Sequence, residues 1–221
     1  MRALASDLRR GLSELALPIS DHQVSQLLDY LALIQKWTQV YNLTAVREPQ
    51  AMLTQHLLDS LAVVKPLIAQ TETLRLSRAA EGRPLTLLDV GSGAGLPGVV
   101  LAICQPAWQV HCVDAVAKKT AFIQQVAANL GLPNLSGVHA RVESLKGPFD
   151  VICSRAFASL TDFTAWSRAA LLDGGLWMAM KGKAPTDEMK ALPNEVQVFH
   201  VEPVVVPGLD ADRCIVWMRR A

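Results

Sequence analysis

Residues 87–98 read Leu-Leu-Asp-Val-Gly-Ser-Gly-Ala-Gly-Leu-Pro-Gly. The apolar run before Gly91 predicts a strand, and the residues from Pro97 predict a helix. A glycine turn between them lets backbone approach a nucleotide-like ligand with no Cβ in the way. Two ligands fit that description. Gly93-x-Gly95-x-x-Gly98 has the dinucleotide spacing. Against it, Pro97 in the first helical turn removes an amide donor that a pyrophosphate would use. Asp89, at the strand end, would repel phosphate, whereas the sulfonium and ammonium of S-adenosylmethionine are cations that a carboxylate attracts. Asp89, Gly91, Ser92, Gly93 and Gly95 are therefore candidate contacts to S-adenosylmethionine. An NAD-binding oxidoreductase is the alternative.

Further residues extend this site. Asp114 ends the next apolar run, where a carboxylate can accept two hydrogen bonds from a ribose diol of either cofactor. Its bland role is a helix cap. Ala140-Arg141-Val142-Glu143 follows the third predicted strand. There the Val142 amide could meet an adenine ring nitrogen and Glu143 its exocyclic amine, although Glu143 reads equally well as a surface acid. Arg155 falls at the carboxyl end of the fourth strand, where ligands bind in such sheets; a structural ion pair is its alternative.

The elements that must position these residues divide the chain. Residues 1–69 read as a helical cap. A short amphipathic helix is expected over 3–15. Ser20 and Gln23 form a capping box before Val24, Leu27, Leu28, Leu31, Ile34 and Trp37, which share one helical face. Pro49 opens another helix with Met52, Leu53, Leu57, Leu61 and Val64 on one stripe, and Pro66 is expected to end it. Residues 70–84 are polar and read as an irregular linker with partial helix. From 85 to 221, short apolar runs alternate with helical stretches, so the fold class is α/β, a Rossmann-like, mainly parallel doubly wound sheet. The last two strands are joined by only Pro207–Asp212, too short for a parallel crossover, so the sheet should end in an antiparallel hairpin.

Composition sets bounds. The chain has 221 residues, 51% hydrophobic and 19% charged, which excludes a disordered polymer. No apolar run reaches the roughly 18 to 20 residues of a membrane helix. The first seven residues mix acid and base with no signal-peptide core, so a soluble protein is expected; the cysteine pattern suits a cytoplasmic one, and a monomer is expected. Cys104, Cys112, Cys153 and Cys214 have no metal or redox spacing and read as buried thiols, and the five histidines are scattered, so no metal site is expected. The net charge of +1 gives no sign of a nucleic-acid partner, so any RNA contacts must be local.

Several separated motifs then converge. Trp37-x-x-x-Tyr41-Asn42-Leu43-Thr44-Ala45-Val46, His56-Leu57-Leu58-Asp59-Ser60-Leu61, the glycine loop with its Leu96-Pro97-Gly98 ending, Ser154-Arg155-Ala156-Phe157, and Lys181-Gly182 together resemble the bacterial glucose-inhibited division protein B family, the ribosomal RNA small-subunit methyltransferases G. The resemblance spans roughly residues 20–220; the 70–84 segment is longer than the family's usual connection. It implies S-adenosylmethionine-dependent methylation of one guanine N7 in 16S rRNA. It also implies cofactor contacts at Gly91, Leu96, Val142, Glu143 and Arg155.

That chemistry suits the residues. Guanine N7 has a free lone pair and no proton at neutral pH, so alignment matters more than a general base, and the sequence shows no acid–base pair. Ser154-Arg155-Ala156-Phe157 stands where amino-group methyltransferases carry Asn/Asp-Pro-Pro-aromatic. Arg155 is the expected catalytic residue, holding the methionine carboxylate, a phosphate or guanine O6. Asn42, Arg47 and Lys181 are candidate substrate contacts, and His56 and Ser60 are expected in a structural network. A cofactor-binding assembly module without catalysis is a third reading.

Overall fold

The computed structural model describes residues 2–221; Met1, the first residue of the expected cap, lies outside the described residues. Seven strands are present: β1 (Thr86–Val90), β2 (Gln109–Asp114), β3 (Leu135–His139), β4 (Phe149–Arg155), β5 (Leu171–Lys181), β6 (Val196–Pro203) and β7 (Cys214–Arg220). They form one sheet in the order β3-β2-β1-β4-β5-β7-β6. The first five are parallel, and β7 runs antiparallel between β5 and β6. The doubly wound sheet with its antiparallel ending is thus as the residue pattern predicts. The chain leaves β1 toward β2 on one side and pairs β1 with β4 on the other. Such a reversal of strand order opens a crevice beyond the carboxyl ends of β1 and β4.

Strand periodicity of two decides which face each residue serves. Leu87, Val110, Cys112, Val151, Cys153, Ile215 and Trp217 join one core, while Leu88, Val90, Val113, Ile152, Val216 and Met218 join the other. The first core is shared with α1 (Arg2–Glu14), α2 (Asp21–Tyr41), α3 (Pro49–Met52), α4 (Asp59–Leu61), α5 (Val64–Ala80), α6 (Gly98–Cys104) and α7 (Ala117–Leu130). The second lies under α8 (Leu160–Ser167), with α9 (Thr186–Lys190) at its edge. The amino-terminal helices therefore pack on the same face as Asp89 and the odd-numbered end of β4.

The Ser20–Gln23 capping box forms as expected. Gln23 Nε2 also donates to Ile103 O and Gln26 Nε2 to Leu130 O, both at 2.8 Å, tying α2 to the last turns of α6 and α7. Leu27 and Ile34 are fully buried there, each contributing about 1.5–3 kcal/mol of transfer free energy.

Two sequence expectations fail. Pro66 does not end a helix: the chain turns at Ala62-Val63, and Pro66 lies in the first turn of α5, where a missing N–H costs nothing. Residues 70–80 of the expected linker continue α5. Their polar composition belongs to a helix that buries only Val64, Leu67 and Thr71. The segment is anchored, since Arg78 Nε lies 2.6 Å and Arg83 Nη1 3.2 Å from the buried Asp150 carboxylate. Burial would raise the Asp150 pKa. The Thr86 N–H and hydroxyl, with the two guanidinium groups, outweigh that and hold it below the ordinary value. One further departure matters for the site. Between α3 and α4 the helix widens into a π-helical turn over Leu53–Leu58.

Candidate functional site

Gly91 adopts φ +64°, and a Cβ there would stand 2.2 Å from Phe157 Cδ2, so the position demands glycine twice over. Four residues of the turn then satisfy themselves. Leu96 N donates to Ser92 O, Val99 N to Gly95 O at 2.7 Å, and Gly98 N to Asp89 Oδ2 at 2.9 Å; Pro97 has no N–H. The amides that a pyrophosphate would need at the start of α6 are spent inside the protein.

The expected direct role of Asp89 needs correcting. Its side chain is fully buried and lines neither of the two cavities that meet at Gly91. Cross-strand register sets it between Cys112 and Cys153, beneath Gly98. Burial pushes its pKa up to about 7, against the opposing pull of the Gly98 N–H, Arg155 and the neighbouring Cys153 thiol. Asp89 shapes the glycine turn from behind. Gly95 also lines neither cavity and is packed against Val99.

Two cavities meet at Gly91 and Ala156, beyond the carboxyl ends of β1 and β4. One, of about 550 Å³, is lined by Asp114, Val142, Glu143 and Phe157. This brings the three expected adenosine contacts together. Asp114 Oδ2 accepts from Gly93 N at 3.1 Å and Oδ1 from Val116 N at 2.9 Å, with Lys119 Nζ at 3.4 Å. A carboxylate has about four acceptor sites, so capacity remains for a ligand. Phe157 also stacks edge-on against Trp166.

The other cavity, of about 520 Å³, is lined by Ser92, Gly93, Leu96, Arg155 and Lys181 on the sheet side. Thr44, His56 and Asp59 line it from the amino-terminal segment, and Arg213 from the residue before β7. Arg155 continues the parity of Val151 and Cys153 and so points toward the amino-terminal helices. Its Nη1 donates to Asp59 Oδ2 at 2.9 Å and to Gln55 O at 2.8 Å. Arg213 Nε donates to Asp59 Oδ1 at 2.7 Å. Sequence reasoning gave Asp59 and Arg213 no role. The available signal was parity: Arg213 precedes β7 in step with the inward-facing Ile215 and Trp217.

His56 Nε2 lies 2.9 Å from Thr44 Oγ1. Burial, then the Arg155 charge, lowers its pKa. His56 Nδ1 and Ser60 Oγ are buried without partners among the described residues. Tyr30, also unassigned from sequence, donates its hydroxyl to Ala94 O at 2.7 Å.

The expected substrate contacts separate. Asn42 caps α2 in the left-handed region at φ 49°, and its Oδ1 accepts from Arg47 Nη2 at 2.6 Å. Arg47 Nη1 reaches Thr38 O. These two residues brace the loop and line neither cavity. Lys181 does line the cavity, but its Nζ is held by Ala158 O and Glu188.

All four cysteines are buried and free. Burial pushes Cys104 up to about 12, and burial with the Asp89 charge raises Cys112 and Cys153 well above the ordinary thiol value, so none is a poised nucleophile. Among the described residues no cluster of three His, Cys, Asp or Glu could hold a metal ion, and no helix is long and apolar enough to cross a membrane.

Two crystal structures share the fold. TrmN from Thermus thermophilus superposes with a TM-score of 0.53 at 20% identity, over 76% of this chain and 53% of that one. Magnesium protoporphyrin IX methyltransferase from Synechocystis PCC 6803, with bound S-adenosylmethionine, gives 0.55 at 13% identity, over 87% and 97%. In sequence, a ribosomal RNA small subunit methyltransferase G from Albidiferax ferrireducens is 66% identical across 100% of this chain and 99% of its own. Another from Paracidovorax citrulli is 61% identical across 98% and 90%. The GidB family profile, described as rRNA small subunit methyltransferase G, matches residues 23–216. The chain belongs to the rRNA small subunit methyltransferase G family, enzymes that use S-adenosylmethionine.

Proposed function

We propose that this chain transfers the methyl group of S-adenosylmethionine to N7 of a guanine in 16S rRNA. The observation that carries the reading is the pair of cavities joined at Gly91. One has acceptors suited to a nucleoside, and the other has guanidinium donors suited to an anionic or carbonyl-bearing group. When bound, S-adenosylmethionine supplies an electrophilic methyl carbon and retains the S–C electron pair as a neutral thioether.

The residues fit that ligand. Gly91 leaves backbone without a side chain where the cavities meet. The spare lone pairs of Asp114 suit a ribose diol, and the Val142 amide with Glu143 suits an adenine edge. Arg155 commits Nη1 to Asp59 and Gln55, leaving Nε and Nη2 for a carboxylate, a phosphate or guanine O6. It leaves N7 unprotonated and free to attack. No proton has to move, in keeping with a cavity whose one carboxylate, Asp59, already accepts from two arginines. The spent amides at the α6 start speak against the dinucleotide alternative. An rRNA acceptor implies a cytoplasmic reaction.

The test uses small subunits from a strain lacking this gene, incubated with enzyme and S-adenosylmethionine labelled in its methyl group. Label should elute as 7-methylguanosine after digestion of the 16S rRNA. Label in another nucleoside would refute the N7 assignment. Cofactor binding without any transfer would favour the assembly-module reading.

A further inference from the structure

Asp59 stands at the junction of three segments that share no local sequence. It follows the π-helical turn, Arg155 ends β4, and Arg213 precedes β7. Asp59 is 3% exposed, and each carboxylate oxygen receives one guanidinium. Neither arginine has another ion-pair partner among the described residues. One carboxylate thus holds two guanidinium groups, leaving this three-residue cluster with a net single positive charge.

The π-helical turn contributes to the same grip. In a regular α-helix the Asp59 N–H would take Gln55 O, four residues back. Here it is shared between His56 O, three residues back, and Thr54 O, five back, and it bypasses Gln55 O, which is left for Arg155 Nη1. Both hydrogens of that nitrogen are then occupied, one by Gln55 O and one by Asp59. The rotation of the Arg155 guanidinium is fixed, and its Nε and Nη2 are turned to other uses. Arg213 is fixed likewise, through Nε on Asp59 and Nη1 on Asp212 O, leaving Nη2. π-turns inserted into helices recur at functional sites because they redirect backbone groups in this way.

We infer that Asp59 is a positioning residue for methyl transfer: it fixes the Arg155 and Arg213 guanidinium planes so that their remaining donors meet an anionic group of the RNA acceptor. This rests on the function proposed above. The charge arithmetic separates positioning from simple attraction. Removing the carboxylate makes the wall more positive, so RNA should bind as tightly or more tightly, with a salt dependence that is no weaker. Misplaced arginines should nevertheless slow the chemical step.

The experiment measures single-turnover methyl transfer to small subunits at saturating cofactor, together with RNA affinity at two salt concentrations and calorimetry with S-adenosylhomocysteine. Wild-type transfer is established first, so that failure of the function itself is recognised separately. For Asp59→Asn the expected result is a fall of about tenfold or more in the single-turnover rate, RNA affinity equal to or above wild type, and cofactor affinity within about threefold. A rate within twofold of wild type overturns the inference, as does a rate loss fully matched by weaker RNA binding. Arg213→Lys keeps the charge at a partly exposed position but loses the fork, and it serves if Asp59→Asn does not fold. It should lower the rate with cofactor binding intact, and an unchanged rate overturns the inference. Where both variants fold, the double variant should lose less than the product of the two single losses, because both act through one contact. Multiplicative losses would contradict that coupling.

Discussion

The Tyr30 hydroxyl donates to the carbonyl of Ala94, so a helix from the amino-terminal segment holds the glycine turn by a buried 2.7 Å bond. Burial raises the Tyr30 pKa well above 10, which keeps the donor protonated at working pH. Tyr30→Phe should leave the Ala94 carbonyl unpaired, at a cost of about 1–3 kcal/mol. Thermal unfolding should show a lower Tm, and calorimetry a several-fold weaker S-adenosylhomocysteine complex. If both quantities matched wild type, the bond would have no part in shaping the turn.

Gly91→Ala tests the turn more directly. The added methyl collides with Phe157 and sits at a positive φ. The variant should stay folded, because Phe157 is a partly exposed side chain that can shift, but cofactor affinity should fall at least about tenfold. Retention of wild-type affinity would show that the ligand does not pass this point.

Asp89 gives a pH prediction. Its pKa is raised from 3.8 to about 7 by burial. The folded state therefore binds this proton more tightly than the unfolded chain does. The stabilising contribution is complete below about pH 4 and is lost as pH rises through 7. The difference in stability between wild type and Asp89→Asn should move against wild type from pH 5 to 8, by up to about 1.4 kcal/mol per unit. A difference that stays flat across that range contradicts the buried, ionising carboxylate.

Methylation at N7 needs no titrating base. At saturating cofactor, the single-turnover rate should change by less than about threefold between pH 6.5 and 8.5. A tenfold rise would require a base in the step.

The mainly parallel sheet and the glycine turn were legible because buried parallel strands read as continuous apolar runs and the turn has a strong local signature. Asp114, Val142 and Glu143 fell at strand ends and could be placed by topology alone. What stayed hidden depends on contacts between distant segments. Arg213 lies 154 residues from Asp59, and Tyr30 lies 64 from Ala94, so no window along the chain joins them. The Asn42–Arg47 bond was hidden for a related reason: polar residues in a loop look alike whether they bond each other or a ligand. Pro66 misled because proline is tolerated in a first helical turn as readily as it stops a helix. The π-helical turn left no mark at all, since its apolar residues keep helix-like spacing.

The most direct test is the 7-methylguanosine content of 16S rRNA, measured by mass spectrometry of nucleosides from a deletion strain and from the same strain carrying the intact gene. N7 methylation by this enzyme requires that one such nucleoside disappear on deletion and return on complementation. An unchanged content in the deletion strain would contradict it.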